Sequence, residues 1–174
     1  IEGRNFTTRK MVLEYDDVMN KQREIVYTER NKVLLGENVH DEIENMMRNR
    51  VNIIVDAFTN PKTDWDEWNV EGLNKEISLK LLPETPEFLT QERAKLWMIE
   101  EIKEQLLGAV QAAYKFKMEQ VSAYAEQHGI EPFDQAEFER TALLLIIDDQ
   151  WMEHIDSMDA LRHGIGLKAY GQQD

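Results

Sequence analysis

The sequence predicts an all-α fold, on three observations. Glycine numbers only 8 and proline only 4 in 174 residues, so few positions interrupt a regular backbone. Between these punctuators, apolar residues recur at intervals of three and four, the period of a helix. The longest unbroken run of large apolar residues, Leu143 to Ile147, is five residues, far short of the ~18 that a membrane-spanning helix needs.

The elements follow in order. Val12, Met19, Val26 and Val33 sit seven apart, flanked by Met11, Val18 and Ile25, which predicts one long amphipathic helix from about residue 7 to Leu35, ended by Gly36. Asn38 with Asp41 resembles an N-terminal capping pair. Ile43, Met47, Val51, Ile54 and Phe58 then make the stripe of a second helix, which Asn60-Pro61 closes. From Lys62 to Pro86 the texture is irregular, with room for one short helix over 71–82. Here Trp65 and Trp68 either anchor a small subdomain core or mark an interaction surface. Thr85-Pro86 reads as an N-cap and first helical position. A helix is expected from about Phe88 to Gln127, with Leu96, Ile99, Leu106, Val110, Ala113, Val121 and Tyr124 on one side, and with Trp97, Phe116, Met118 and Tyr124 as core. His128-Gly129 ends it. Asp134 and Glu137 form a second capping pair, and a last helix runs through Leu144, Ile147, Trp151, Ile155, Met158 and Leu161 to His163, where Gly164 stops it.

Composition excludes several functions. At 174 residues the chain is one domain or two small interleaved subdomains, and 42% apolar residues suffice for a core. The 20 Lys and Arg against 34 Asp and Glu, a net charge of −14, argue against nucleic acid as a partner and against autonomous binding to anionic membrane. No cysteine is present, so neither disulfides nor thiolate metal sites enter. No signal peptide stands at the N-terminus, and Ile1-Glu-Gly-Arg4 equals a common tag-cleavage sequence, a scar or native chain.

Residues 131–160 carry nine acids against one base, Arg140, and Asp149, Glu153 and Asp156 share a helix face. Carboxylates for acid–base work or a divalent metal would converge from different elements, whereas these lie along one helix; a solvated face or a docking surface for a basic partner fits better. His154 follows Glu153 without the second histidine of an H-E-x-x-H zinc helix. Gly164-Ile-Gly166 is not a dinucleotide loop, since Ala169 stands where a third glycine is required, and no G-x-x-x-x-G-K-[ST] occurs. No G-x-S-x-G supports a serine hydrolase. No catalytic, cofactor-binding or metal-ligating residue is therefore assigned. The segment from Gly164 to Asp174 is expected to be a loop: three glycines give it freedom, while Ile165, Leu167 and Tyr170 supply apolar groups. A tyrosine offers a large contact without reading a partner's sequence, which suits promiscuous gripping; the alternative is packing against another part of the protein.

Two segments carry a family signature: Asn5-Phe6, Arg9-Lys10 and Leu13-Glu-Tyr-Asp-Asp-Val18 near one end, and Trp151-Met-Glu-His154, Met158-Asp159, Leu161-Arg162, Gly164-Ile165, Leu167 and Tyr170 near the other. Together they closely resemble the SecA family, motor ATPases of the bacterial preprotein translocase. Residues 60–130 match only in helical texture and tryptophan placement. Ile155, His163, Lys168 and Ala169 stand where the family more often shows Leu, Gln or Glu, Arg, and Gly.

The resemblance implies a division into a helical scaffold with its long first helix (1–59), a helical wing (60–130), and a scaffold return with the first helix and tip loop of a two-helix finger (131–174). It implies that motor domains holding ATP and Mg precede residue 1 and that a second finger helix follows Asp174. The fragment itself would then be non-catalytic and free of cofactors. Its partners would be those motor domains, a preprotein and a membrane protein-conducting channel, on the inner face of the bacterial plasma membrane. Tyr170, Leu167 and Lys168 would meet the preprotein or channel at the finger tip. Leu13, Tyr15, Asp16, Asp17, Trp151, His154, Met158 and Arg162 would serve interdomain packing or the restraint of ATP hydrolysis. Without a second finger helix, the stripe Ile147, Trp151, Met158, Leu161 and Ile165 would pack back on the Val12/Met19/Val26 stripe or self-associate. A free-standing acidic helical adaptor is the competing reading, and a metal-dependent helical enzyme a third.

Overall fold

The computed structural model describes residues 2–36, 39–130 and 132–171; the side chains of 2–5, 7–8 and 165–171 lie outside that description. The described residues are all helical or irregular. Six α-helices follow in order: α1 (Glu2–Leu35), α2 (Val39–Phe58), α3 (Val70–Lys80), α4 (Gln91–Leu96), α5 (Ile99–Gln127) and α6 (Gln135–Gly171), with a single 3-10 turn at Trp65–Glu67. The chain divides into two compact units, one of Ile1–Val39 with Ala136–Asp174, the other of His40–Gln135.

The first unit pairs α1 with α6. On α1 the covered positions are Val12, Tyr15, Met19, Gln22, Val26, Arg30 and Val33, alternately three and four residues apart with one step of four repeated. That spacing is the seam of a coiled coil, a narrow stripe that one partner helix suffices to cover. Met11, Val18 and Ile25, one step around the helix, stay exposed. On α6, Ile147, Trp151, Ile155 and Met158 are half-buried, so of the two expected covers for this stripe the packing against α1 is present. Leu161 remains exposed, and the Ile165 side chain lies outside the described residues.

The second unit owns the larger core. Val51, Ile54 and Val55 of α2, Val70, Leu73 and Ile77 of α3, Leu82, Phe88 and Leu89 of the connection, Ala94 of α4, and Ile102, Leu106, Leu107 and Val110 of α5 form one buried cluster. Trp65, Trp68 and Trp97 pack on its edge, and the Trp68 Nε1–H donates to the Asn60 carbonyl at 3.2 Å. Lys103 of α5 binds Asp56 of α2 at 2.9 Å and Glu100 at 3.1 Å, and the Asp56 carboxylate raises its pKa above the ordinary lysine value.

Three expectations are corrected here. The chain from Phe88 is not one helix. Asn74, buried in α3, accepts the backbone N–H groups of Phe88 (3.0 Å) and Leu89 (2.8 Å) and donates to the Leu89 carbonyl (2.7 Å). Backbone groups tied to a side chain cannot close a helical ladder, so the segment stays irregular, with bends at Phe88 and Leu89, until Thr90 caps α4, accepting from the Arg93 N–H at 3.2 Å. Trp97 and Met98 are extended, and the Glu101 carboxylate accepts the Met98 N–H at 2.8 Å to open α5. Thr85-Pro86 therefore starts no helix.

Second, the apolar face expected for this region is buried only in part: Leu106 and Val110 are in the core as expected. Leu96 (77% exposed), Tyr124 (61%) and Phe116 (60%) face outward, while Ile102 and Leu107 are in the core. Leu96 lies before the break at Trp97, and Phe116 and Tyr124 lie beyond Val110, the last α5 residue of the buried cluster. Third, Gly164 does not stop α6, which continues to Gly171, so the expected tip loop over 164–171 is helical backbone. Gly164 has ordinary negative φ and open space where a Cβ would stand; the positive-φ glycine that ends a helix is Gly129, at φ 70° after α5. Each glycine costs a helix only ~1 kcal/mol and does not bar helical φ and ψ.

Candidate functional site

The candidate site is the seam between α1 and α6, where polar groups alternate with the apolar layers. Arg140 Nη2 donates to the Gly36 carbonyl at 3.2 Å. Arg30 grips Asp148 with both ends of its fork, Nε to Oδ1 at 2.8 Å and Nη2 to Oδ2 at 3.2 Å. His154 Nε2 lies 2.8 Å from Gln22 Oε1, and the Nε2–H tautomer donates there. Arg162 places its guanidinium carbon 5.8 Å from the centre of the Tyr15 ring. Partners descend on one helix as they ascend on the other, so the pair is antiparallel. From Gly36 to Tyr15 the ties are spread over ~32 Å of helix.

Two of the ties have an electrostatic consequence. The hydrogen bonds from Arg30 hold the Asp148 carboxyl below the usual carboxylate range, against a smaller opposing effect of burial. Arg30 is correspondingly raised by Asp148. The Tyr15 phenol is pushed up, first by burial of its hydroxyl and then by the neighbouring Asp159 carboxylate, with Arg162 opposing.

On one face of the pair the seam opens into a hollow of about 420 Å³ lined by Gln22, Ile25, Val26, Glu29, Ile147, Gln150, Trp151 and His154. Trp151 and His154 meet within it, their rings 5.7 Å apart and inclined by 31°.

The residues singled out from the sequence fall into three groups. Tyr15, Trp151, His154, Met158 and Arg162 lie at or beside the seam. Leu13 is 65% exposed, and Asp16 and Asp17 face outward, so the three do not join it. Leu167, Lys168 and Tyr170 lie in the helical backbone of α6, and their side chains are outside the described residues. Sequence reasoning missed Gln22, Arg30 and the role of Asp148. A signal did exist: Tyr15 and Gln22 each stand three residues after a stripe residue, at the alternate seam position that a coiled coil also covers. Asp149, Glu153 and Asp156 are exposed, while Asp148 of that acidic run pairs with Arg30 across the seam. Among the described residues no group of three or more His, Asp or Glu could hold a metal ion, and no helix is long and apolar enough to cross a membrane.

Comparison with known proteins agrees with the signature at the chain ends and extends through the middle. The sequence is 42% identical over 174 residues to the protein translocase subunit SecA of Alkaliphilus oremlandii, covering 100% of this chain and 18% of that protein. It is 40% identical to protein translocase subunit SecA 1 of Alkaliphilus metalliredigens and 38% to the SecA subunit of Acetivibrio thermocellus, again over all of this chain and 18% of each relative. The chain thus spans under a fifth of the length of these relatives. Residues 1–174 match the family described as the SecA wing and scaffold domain, and the chain belongs to that family.

Proposed function

We propose that this chain is the non-catalytic scaffold and wing of a protein-translocating ATPase, carrying movement of ATP-driven motor domains to a preprotein at a membrane channel. The observation that supports this most directly is the α1/α6 pair: helices of 34 and 37 residues tied at four levels. A pair held only by apolar layers can slip past itself by a turn. A pair whose polar groups find their partners in one register loses those hydrogen bonds when it slips, so a push on one end arrives at the other. In this reading α1 belongs to the scaffold (1–59), α6 to the scaffold return and the first finger helix (131–174), and the wing (60–130) lies within the compact unit His40–Gln135.

The same reading assigns restraint of ATP hydrolysis to the scaffold and finger, with ATP and Mg held by motor domains outside these residues. Tyr170, Leu167 and Lys168 remain the proposed preprotein or channel contacts. A peripheral position on the inner face of the plasma membrane follows from that role. The test is to add the chain to a SecA motor core prepared without this region and measure ATP turnover. Turnover should fall as chain is added, and calorimetry should detect no ATP binding to the chain alone. Unchanged turnover at saturating chain would favour the acidic adaptor.

A further inference from the structure

The hollow between α1 and α6 has the size and lining of a small-molecule site. Its volume of about 420 Å³ lies within the range of ligand pockets, and two helices fitted to each other along their whole length would leave no such space. Val26 and Ile147 give it aliphatic walls, and Trp151 gives it an indole. Trp151 is only half-buried, so part of its ring stays uncovered.

The polar groups of the lining narrow the ligand. The Gln22 amide oxygen is already engaged by His154 at 2.8 Å. Gln150 donates through Nε2 to Glu153 at 3.5 Å, which leaves its own amide oxygen as an acceptor. Glu29 is the one carboxylate among the described lining residues, and neither lysine nor arginine is among them. Its carboxylate meets Lys32 of the same helix at 2.6 Å, an exposed pair of the kind worth under about 1 kcal/mol, so a second donor can share it at little cost. The neighbouring Arg30 and Asp148 are committed to each other. Two acceptors beside an indole, whose face attracts positive charge through its quadrupole, match a flat ring that carries delocalised positive charge and N–H groups.

We propose that this hollow is a binding site for a planar aromatic cation, its ring lying on the Trp151 indole between Val26 and Ile147 and its N–H groups donating to Glu29 and to the Gln150 amide oxygen. Such a ligand bridges α1 and α6. The proposal stands on the geometry of the hollow and asks nothing of the translocation reading, so either can fail without the other.

Its test titrates the 174-residue chain into an aminoacridine, a planar monocation at neutral pH, and follows the probe's fluorescence anisotropy at physiological salt. One saturable site is expected. An acridine carboxylate, the same ring with a negative group, should bind at least about tenfold more weakly, and so should the aminoacridine to Trp151→Leu, which removes the indole, and to Gln150→Lys, which sets a cation at the rim. Glu29→Gln should weaken binding at least about threefold, whereas Asp156→Asn, an exposed change on α6 outside the lining, should leave affinity within about twofold. Glu29 and Gln150 are exposed, so their variants should keep the parental circular dichroism and decide the matter even where Trp151→Leu folds poorly. The melting temperature should rise with probe concentration. No saturable binding, equal affinity for the carboxylate, an unaffected Gln150→Lys variant, or a melting temperature unmoved at saturation would each overturn the proposal. So would an equal loss in Asp156→Asn and Glu29→Gln, since the probe would then report the chain's net charge of −14 and no site.

Discussion

Arg30 and Asp148, 118 residues apart in the chain, form a two-pronged ion pair that fixes α1 against α6. The guanidinium fork matches the two carboxylate oxygens, so the contact specifies a rotation and a height as well as a distance. Nothing in the local sequence distinguishes Asp148 from Asp149 beside it; the turn of the helix alone brings one to the seam and leaves the other in solvent.

Breaking this pair should matter more for register than for stability. Both partners are substantially solvated, so Arg30→Ala or Asp148→Ala should lower the melting temperature by no more than about 4 °C. A spin-label distance between the two helices should nevertheless broaden in either variant. An unchanged distance distribution would show that the apolar layers set the register unaided.

The same pair has a pH signature. Because the folded-state pKa of Asp148 is depressed, its contribution is present above the unfolded value of about 4 and is lost as pH falls through the lower folded value. The melting-temperature gap between the parent and Asp148→Asn should therefore narrow on acidification below about pH 4. A gap that is constant through that window would contradict the assigned pair.

Tyr15 titrates in the opposite sense. With its folded pKa raised, the neutral phenol contributes below the unfolded value of about 10, and that contribution is lost as pH rises through the folded value. Ultraviolet titration of tyrosinate should show a late-ionising component that disappears in Tyr15→Phe. If Tyr15→Phe removes an ordinary component instead, the hydroxyl is open to water.

Asn74 should be the most sensitive polar position in the second unit. Asn74→Ala strands the N–H groups of Phe88 and Leu89 and the Leu89 carbonyl in a buried site, at a cost of about 3 kcal/mol or more in chemical denaturation. A loss below about 1 kcal/mol would mean that the 82–90 connection re-pairs its backbone readily.

Two glycines should respond with opposite signs. A Cβ at Gly164 meets open space within α6, so Gly164→Ala should stabilise by about 0.5–1 kcal/mol through helix propensity. At Gly72 the Cβ would stand 2.6 Å from Phe58 Cε1 and 2.6 Å from Asn69 Nδ2, the side chain that caps α3 by accepting the Gly72 N–H. The lost cap and displaced ring should outweigh the propensity gain and make Gly72→Ala destabilising by about 1 kcal/mol. Destabilisation by Gly164→Ala would indicate that the helix does end there.

What the sequence by itself determined is the all-helical class and the stripes that dominate their local surroundings. Val12, Met19, Val26 and Val33 repeat at seven because a helix covered by one partner must repeat so, and Gly129 ends α5 because a left-handed residue is needed there. The family was legible for a similar reason: its signature lies in short contiguous runs at the chain ends. Tertiary structure decided the rest. Asn74 overrides the helical periodicity after Phe88 because hydrogen bonds from 14 and 15 residues away outcompete the local ladder. Arg30, Gln22 and His154 become seam residues only once α6 lies antiparallel to α1, since a charged or amide side chain looks like solvent-facing polarity until its partner arrives. Gly164 likewise reads as a stop in isolation, yet the α6 backbone continues to Gly171, since glycine weakens a helix without barring helical φ and ψ.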